Sequence, residues 1–281
     1  MEIINSIESF RLARRKIHLD QSLGFVPTMG YLHEGHLSLI NQASQENDKV
    51  VVSIFVNPTQ FGEGEDFGEY PRDFNKDHEL LQQTGCDIVF YPPTKEIYPP
   101  SDNIDTFVVP QKRATMLEGK IRPDHFKGVT TVVTKLLNIV LPNTTYLGQK
   151  DGQQVAIIKK MVRDLNFMTK IVVVPTKRDH DGLALSSRNT YLNSSNRQKA
   201  PIIYKALKSA DHLYQIGETN SDILKNTIRS MLTELDIEYI SVADSDTLEE
   251  LTRAKPGAMI SVAVRLGNTR LIDNIILGQG S

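Results

Sequence analysis

The chain has 281 residues, with 32 Lys and Arg against 34 Asp and Glu and a formal net charge of −2, and 40% of it is hydrophobic. That is enough for one large or two medium domains with a substantial core, while the near-neutral balance argues against a broad nucleic-acid footprint. No window approaches the ~18 uninterrupted apolar residues of a membrane helix, Met1 to Ser6 carry no targeting signature, and the single cysteine, Cys86, cannot pair within the chain and suits a reducing compartment. A cytoplasmic protein with no membrane segment and no nucleic-acid partner is expected.

Residues 23–27 read as a buried strand, and 37–46 carry Leu37, Ile40 and Ala43 on one helical face. Between them lies Pro27-Thr28-Met29-Gly30-Tyr31-Leu32-His33-Glu34-Gly35-His36, two histidines three apart where a strand turns into a helix. That place presents backbone N–H groups and the positive end of the helix dipole, which suits a phosphate. Gly35 leaves room for a flat adenine ring on its backbone, and the histidines add donors that can follow charge onto phosphate oxygens. Paired histidines also suit zinc, although the second comes one residue too early for H-E-x-x-H, and an isolated H-x-x-H is often an exposed loop.

Further strands are expected at 50–56, 88–91, 145–147 and 171–174, with Cys86 a packed thiol at the turn into the second of these. Helices are expected at 74–84, 129–141 and 153–165. The clearest carries Val129, Val132, Val133, Leu136, Leu137 and Val140 on one stripe and stops at Pro142. Short apolar strands alternating with helices predict a parallel sheet covered on both faces, with ligands beyond the carboxyl ends of its strands. The histidine loop and Asn57-Pro58-Thr59-Gln60 both leave strands at such ends. The amides of Asn57 and Gln60 can read hydroxyl and carboxylate groups, and Asn-Pro is also ordinary turn chemistry. The acidic run 62–66 reads as a solvated loop. Arg72 faces either a phosphate or solvent. Arg122-Pro123-Asp124-His125-Phe126 either lines a cleft or forms a capped turn with Asp124 at the helix start.

Gly148-Gln149-Lys150-Asp151 follows a strand and opens a helix. Asp151 suits a helix cap, Lys150 a phosphate, and Gln154, four residues on, faces the same way as Lys150. Beyond Pro175-Thr176 the texture changes. A polar stretch, 177–182, leads to Ser186-Ser187-Arg188, whose two hydroxyls and guanidinium make a phosphate clamp or a common surface triplet. Its place near a domain junction favours a ligand cleft. Helices near 195–215 and 221–235 and strands at 237–243, 258–265 and 270–277 then predict a smaller α+β domain. The expected division is 1–176, the larger α/β part, and 177–281, the smaller.

Seven motifs in order, P-T-M-G-x-L-H-E-G-H (27–36), S-I-F-V-N-P-x-Q-F (53–61), E-Y-P-R (69–72), R-P-x-H-F-x-G-V (122–129), G-x-K-D-x-Q-Q (148–154), D-G-L-A-x-S-S-R-N-x-Y-L (181–192) and T-R-L-I-D-N-I (269–275), resemble the pantoate–β-alanine ligase (pantothenate synthetase) family of the nucleotidylyltransferase-like superfamily. The resemblance runs from about residue 3 to residue 278. It implies a Rossmann-type α/β domain with a second, smaller α+β domain, a homodimer, and Mg²⁺-dependent, ATP-driven condensation of pantoate with β-alanine through a pantoyl-adenylate, releasing AMP and pyrophosphate. ATP would be held by Pro27, Thr28, Met29, Gly30, Tyr31, Leu32, His33, Glu34, Gly35 and His36, by Gly148, Gln149, Lys150 and Asp151, by Lys177, and by Leu185, Ser186, Ser187 and Arg188. His36, His33, Lys150, Ser187 and Arg188 would carry the catalysis. Gln60 and Gln154 would hold pantoate, with Gln60 also near β-alanine. The chain departs from the family at Gln149, usually charged; at Gly152, usually larger; at Leu185, often methionine or lysine; and at Lys177, usually apolar. Of an acidic metal-binding pair only Asp77 is present, with Lys76 beside it, so no protein metal ligand is assigned. Other expectations the histidine loop permits are a nucleotidylyltransferase acting on a phosphorylated acceptor, a tRNA-binding synthetase fragment, and a nucleotide sensor without catalysis.

Overall fold

The structure, a computed structural model, describes residues 1–18, 20–100 and 104–278. Two compact units are present: Met1–Gly148 with Ile157–Val174, and Gln149–Ala156 with Pro175–Ser281.

The first unit is built on a six-stranded parallel sheet, β1 (Glu2–Ile4), β2 (Leu23–Thr28), β3 (Lys49–Ile54), β4 (Ile88–Phe90), β5 (Thr144–Gly148) and β6 (Lys170–Val174), in the order β1-β4-β3-β2-β5-β6. This is the expected Rossmann-type arrangement. From β2 the chain steps outward to β3 and β4, and β5 then returns to the other side of β2. The order therefore reverses beside β2, the position where such sheets receive ligands. The inner strands β2, β3 and β4 are buried almost throughout because both faces are covered, whereas β1 and β6 at the edges are partly exposed. Helices α1 (Ile7–Lys16), α2 (Glu34–Glu46), α3 (Phe74–Gln82), α4 (Thr94–Ile97), α5 (Glu118–Ile121), α6 (His125–Val140) and α7 (Gly152–Asp164) connect them. Val26, Leu32, Ile40, Val50, Val52, Leu81 and Tyr146 form one apolar cluster, which also buries Cys86. Burial pushes the Cys86 thiol up to about 12.

β1 and α1 lie where no element was expected, since β1 is a three-residue edge strand paired to β4. Helix α6 starts four residues before its apolar stripe. Asp124 stands at its N-cap with φ 65° and makes no side-chain cap bond. A capping side chain needs extended backbone to reach the first-turn N–H groups, so the capped-turn reading of Asp124 fails.

The second unit holds α8 (Ser194–Lys199), α9 (Ile202–Gln215) and α10 (Ser221–Met231) with an antiparallel sheet of β7 (Asp236–Asp244), β8 (Ala258–Leu266) and β9 (Thr269–Ile276). Its core joins Ile203, Leu207, Leu224 and Ile228 to Val242, Ile260 and Val262. The single helix expected over 195–215 is two, divided at Pro201, which carries no N–H to continue the ladder. Among the described residues no helix is long and apolar enough to cross a membrane.

Candidate active site

The histidine loop leaves β2 through two left-handed residues, Gly30 (φ 80°) and Tyr31 (φ 52°). A Cβ on Gly30 would lie 2.9 Å from both Asp77 Oδ2 and Ile54 Cγ2, so only glycine fits. Thr28 Oγ1 accepts from Gly30 N at 3.2 Å and donates to Ser53 O. Asp77, 2% exposed on α3, accepts from Tyr31 N at 2.8 Å and from Leu32 N at 2.6 Å. These two bonds compensate the left-handed tyrosine, a conformation costing of order 1–3 kcal/mol. Burial raises the Asp77 pKa against the lowering effect of the same two N–H groups. Asp77 is therefore committed to shaping the loop.

His33 is the N-cap of α2, its Nδ1 accepting from Gly35 N at 3.1 Å, while His36 Nδ1 accepts from His33 N at 3.3 Å. The ring centroids are 4.1 Å apart. A ring nitrogen that accepts from a backbone N–H carries no proton, so in each neutral ring the hydrogen is on Nε2, which becomes the donor. This differs from the expectation of open backbone donors at the helix start: the His33 ring takes the Gly35 N–H. Leu32 packs its side chain in the core, 5% exposed.

Gln60 closes the short turn Pro58–Gln60 after β3. Asn57, 1% exposed, donates from Nδ2 to Gln60 Oε1 at 3.0 Å and to Gly128 O at 3.2 Å, and its Oδ1 accepts from Tyr98 Oη at 2.9 Å. With Oε1 so engaged, Gln60 turns its NH₂ outward as donor, toward Met29 Sδ at 3.2 Å. His125 Nδ1 donates to Gln60 O at 2.8 Å and its Nε2 lies 3.3 Å from Arg122 Nη1. Because a carbonyl can only accept, the proton is on Nδ1 and Nε2 accepts from Arg122. Burial first, and the Arg122 charge second, lower the His125 pKa to about 4. Arg122 grips Glu65 with two contacts of 2.6 Å, so the acidic run expected to be solvated is tied down at Glu65. Burial pushes Glu65 upward, but the hydrogen bond and charge of Arg122 together hold it below its ordinary value. Arg72 is exposed, in keeping with its solvent reading, and donates to Tyr70 O and Phe67 O with its guanidinium over the Phe67 ring.

In the second unit, Gln149–Asp151 form a short turn ahead of α7. Lys150 precedes the regular helix, so its side chain and that of Gln154 are not an ordinary i, i+4 pair. Lys150 Nζ lies 3.4 Å from Asp151 Oδ1. Asn274 Nδ2 donates to Gln149 O at 2.9 Å and Lys150 O at 2.8 Å, and Gln149 Nε2 donates to Asn274 Oδ1 at 2.8 Å. Leu185 N donates to Lys177 O at 3.0 Å, pairing two of the expected backbone positions across a hairpin. Ser186 caps the turn Ser187–Tyr191 by accepting from Arg188 N at 3.3 Å. Both turns, Gln149–Asp151 and Ser187–Tyr191, pack against β9.

Asp77 and Asn274 are the two supports that residue-type reasoning left without a role. Asp77 falls on the face of α3 that also presents Phe74 and Leu81, at spacings of three and four, and a carboxylate on a buried face needs a partner. Asn274 lies inside the last motif, but its partners are over a hundred residues away.

A family model described as Pantoate-beta-alanine ligase matches residues 2–276. A pantothenate synthetase of Chloroflexus aurantiacus is 50% identical, covering 100% of both chains, and one of Acetivibrio thermocellus is 49% identical over 99% of each. Among solved structures, pantothenate synthetase from Thermus thermophilus superposes with TM-score 0.92 at 42% identity, covering 98% of this chain and 99% of that one. Pantoate-beta-alanine ligase from Francisella tularensis, complexed with beta-gamma ATP and beta-alanine, superposes at 0.83 with 42% identity over 100% and 99%. The seven motifs, the parallel sheet with its histidine loop at the point of reversal, and these full-length likenesses agree, and the chain belongs to the pantoate-beta-alanine ligase family.

Proposed function

We propose that this enzyme condenses pantoate with β-alanine in two half-reactions. A pantoate carboxylate oxygen attacks the α-phosphorus of ATP and the α–β phosphoanhydride bond breaks, giving pantoyl-adenylate and pyrophosphate. The β-alanine amine then attacks the acyl carbonyl, loses a proton, and expels AMP to leave pantothenate. The observation that carries this reading is the pair of Nε2–H donors fixed at the start of α2, in a chain whose relatives include a ligase complexed with an ATP species and β-alanine.

The protein supplies no nucleophile, so its contribution is placement and charge stabilisation. In the first unit His33 and His36 donate to phosphate oxygens on which negative charge accumulates, with Met29 to Gly35 shaping the nucleotide loop. Gln60 presents its NH₂ to pantoate and, in the second half-reaction, to β-alanine. In the second unit Lys150, Ser187 and Arg188 supply charge and donors to phosphate, Gln149, Asp151, Lys177 and Leu185 hold the nucleotide largely through their backbone, and Gln154 binds pantoate. Mg²⁺ enters with the nucleotide as Mg·ATP. Asp77, the carboxylate beside the histidine loop, has its two oxygens on backbone N–H groups and Lys76 as its neighbour, so no side-chain ligand is assigned to the metal. The same reading carries a cytoplasmic homodimer, whose mass sedimentation equilibrium would measure.

The test is pantoate-dependent ATP–pyrophosphate exchange with Mg·ATP. Exchange without β-alanine, with AMP and pantothenate accumulating once it is added, is the expected result. Exchange that ignores pantoate, in protein that binds ATP, would overturn it.

A further inference from the structure

The geometry points to Asn274 as a positioning residue for Lys150, an inference that rests on the role given to Lys150 above. Asn274 is 4% exposed on β9. Both hydrogens of its amide go to consecutive carbonyls, Gln149 O at 2.9 Å and Lys150 O at 2.8 Å, and its oxygen accepts from Gln149 Nε2 at 2.8 Å. The amide orientation is thereby determined, because the flipped group would set its oxygen against two carbonyls. Two bonds from one side chain fix the main chain from which the Lys150 ammonium projects, and the third ties that side chain to the Gln149 amide.

Asn274 is itself held. Its N–H goes to Asp273 Oδ1 at 2.8 Å, and Arg178 grips that carboxylate at 2.6 and 3.0 Å while lying 3.7 Å over the Tyr204 ring. Asp273 is 4% exposed, so this ion pair is fixed by packing on the inside of the unit. From Tyr204 through Arg178, Asp273 and Asn274, a continuous run of contacts ends on the backbone of Lys150.

Gln149 and Gly152 belong to the same arrangement. A Cβ at residue 152 would stand 2.5 Å from Met259 Sδ and 3.2 Å from both Asn274 Nδ2 and Gln149 Nε2. The absence of a side chain at 152 leaves the space in which the two amides meet. Gln149 and Gly152 are thus matched to one another through Asn274.

The test is a double-mutant cycle in pantoate-dependent ATP–pyrophosphate exchange, using N274A, K150A and the pair. N274A is expected to lower kcat for exchange by ~10–10²-fold, the scale of a misplacement near 1 Å, with pantoate KM changed less than about threefold. In the K150A background N274A should add less than about twofold, because the residue it positions is gone. N274D, which turns a second oxygen toward two carbonyls, should fall at least as far as N274A. Should N274A fail to fold, Q149A removes one of the three bonds and should show a smaller loss with the same dependence on Lys150. A loss that multiplies undiminished in the K150A background, or wild-type exchange in both N274A and Q149A, would overturn the inference while leaving Lys150 its role. Wild-type exchange in K150A would instead remove the role of Lys150, and the positioning of it with that.

Discussion

Replacing Asp77 by asparagine changes one atom of a buried side chain and removes one of the two bonds by which it holds the histidine loop. The carboxylate accepts from Tyr31 N at 2.8 Å and Leu32 N at 2.6 Å. The Asn side chain keeps one acceptor and turns its NH₂ toward the other N–H, leaving a buried donor facing a donor. A hydrogen bond to a charged group contributes about 1.5–3 kcal/mol, and an unsatisfied buried donor costs about 1–3 kcal/mol. Removing the burial cost of the carboxylate, which raises its pKa, offsets part of this. Relaxing the left-handed Tyr31 offsets another part. A net loosening of about 2 kcal/mol is expected. At 1.36 kcal/mol per decade that is a ~30-fold loss of amide exchange protection, confined to a peptide spanning Gly30 to His33. Because the same loop sets His33 and His36, pantoate-dependent exchange should fall ~10–10²-fold, with pantoate KM little altered. Hydrogen exchange by mass spectrometry and isotope exchange kinetics on one preparation measure both. Wild-type protection in that peptide together with activity within twofold of wild type would refute the argument that Asp77 shapes the loop.

Other expectations are simpler. His36→Ala should lower the adenylation rate ~10²–10³-fold, the usual effect of losing one preorganised donor; a change below about threefold in single-turnover adenylate formation would remove His36 from the mechanism. Gln154→Ala should chiefly weaken pantoate, so unchanged pantoate affinity by calorimetry would contradict its role. His125 has a native pKa near 4 against about 6.5 when unfolded. Between those values the unfolded chain binds a proton that the native one refuses, so stability rises with pH across that window. His125→Asn should flatten the acid-side slope of unfolding free energy by close to one proton, and an unchanged slope would show that His125 is not buried neutral.

The elements with strong periodicity were legible. The stripe from Val129 to Val140 is the inner face of α6, and the apolar runs are the strands of the parallel sheet. Errors fell where a local signal competes with backbone geometry: Pro201 divides α8 from α9, and Asp124 adopts a left-handed conformation that takes its carboxylate away from the helix start. The histidine loop was legible as a strand-to-helix turn, whereas the direction of its donors was not. That direction depends on which ring nitrogen each backbone N–H reaches, and both N–H groups come from within the loop itself. Glu65 looked solvated because its partner, Arg122, is 57 residues away. Asn274 reaches its partners at a separation of 124 or 125 residues, beyond any local pattern.

Cys86 makes the chain its own conformational reporter. One thiol, 7% exposed and with its pKa pushed up to about 12, is almost entirely protonated and shielded at neutral pH, and only a thiolate reacts quickly with an alkylating reagent. Modification therefore has to wait for the cluster between α2 and the sheet to open, and its rate reads the frequency of that opening without an added probe. Cysteines placed on the surface would carry fluorophores while the native thiol stays silent, so site-specific labelling of this enzyme needs no cysteine-free background.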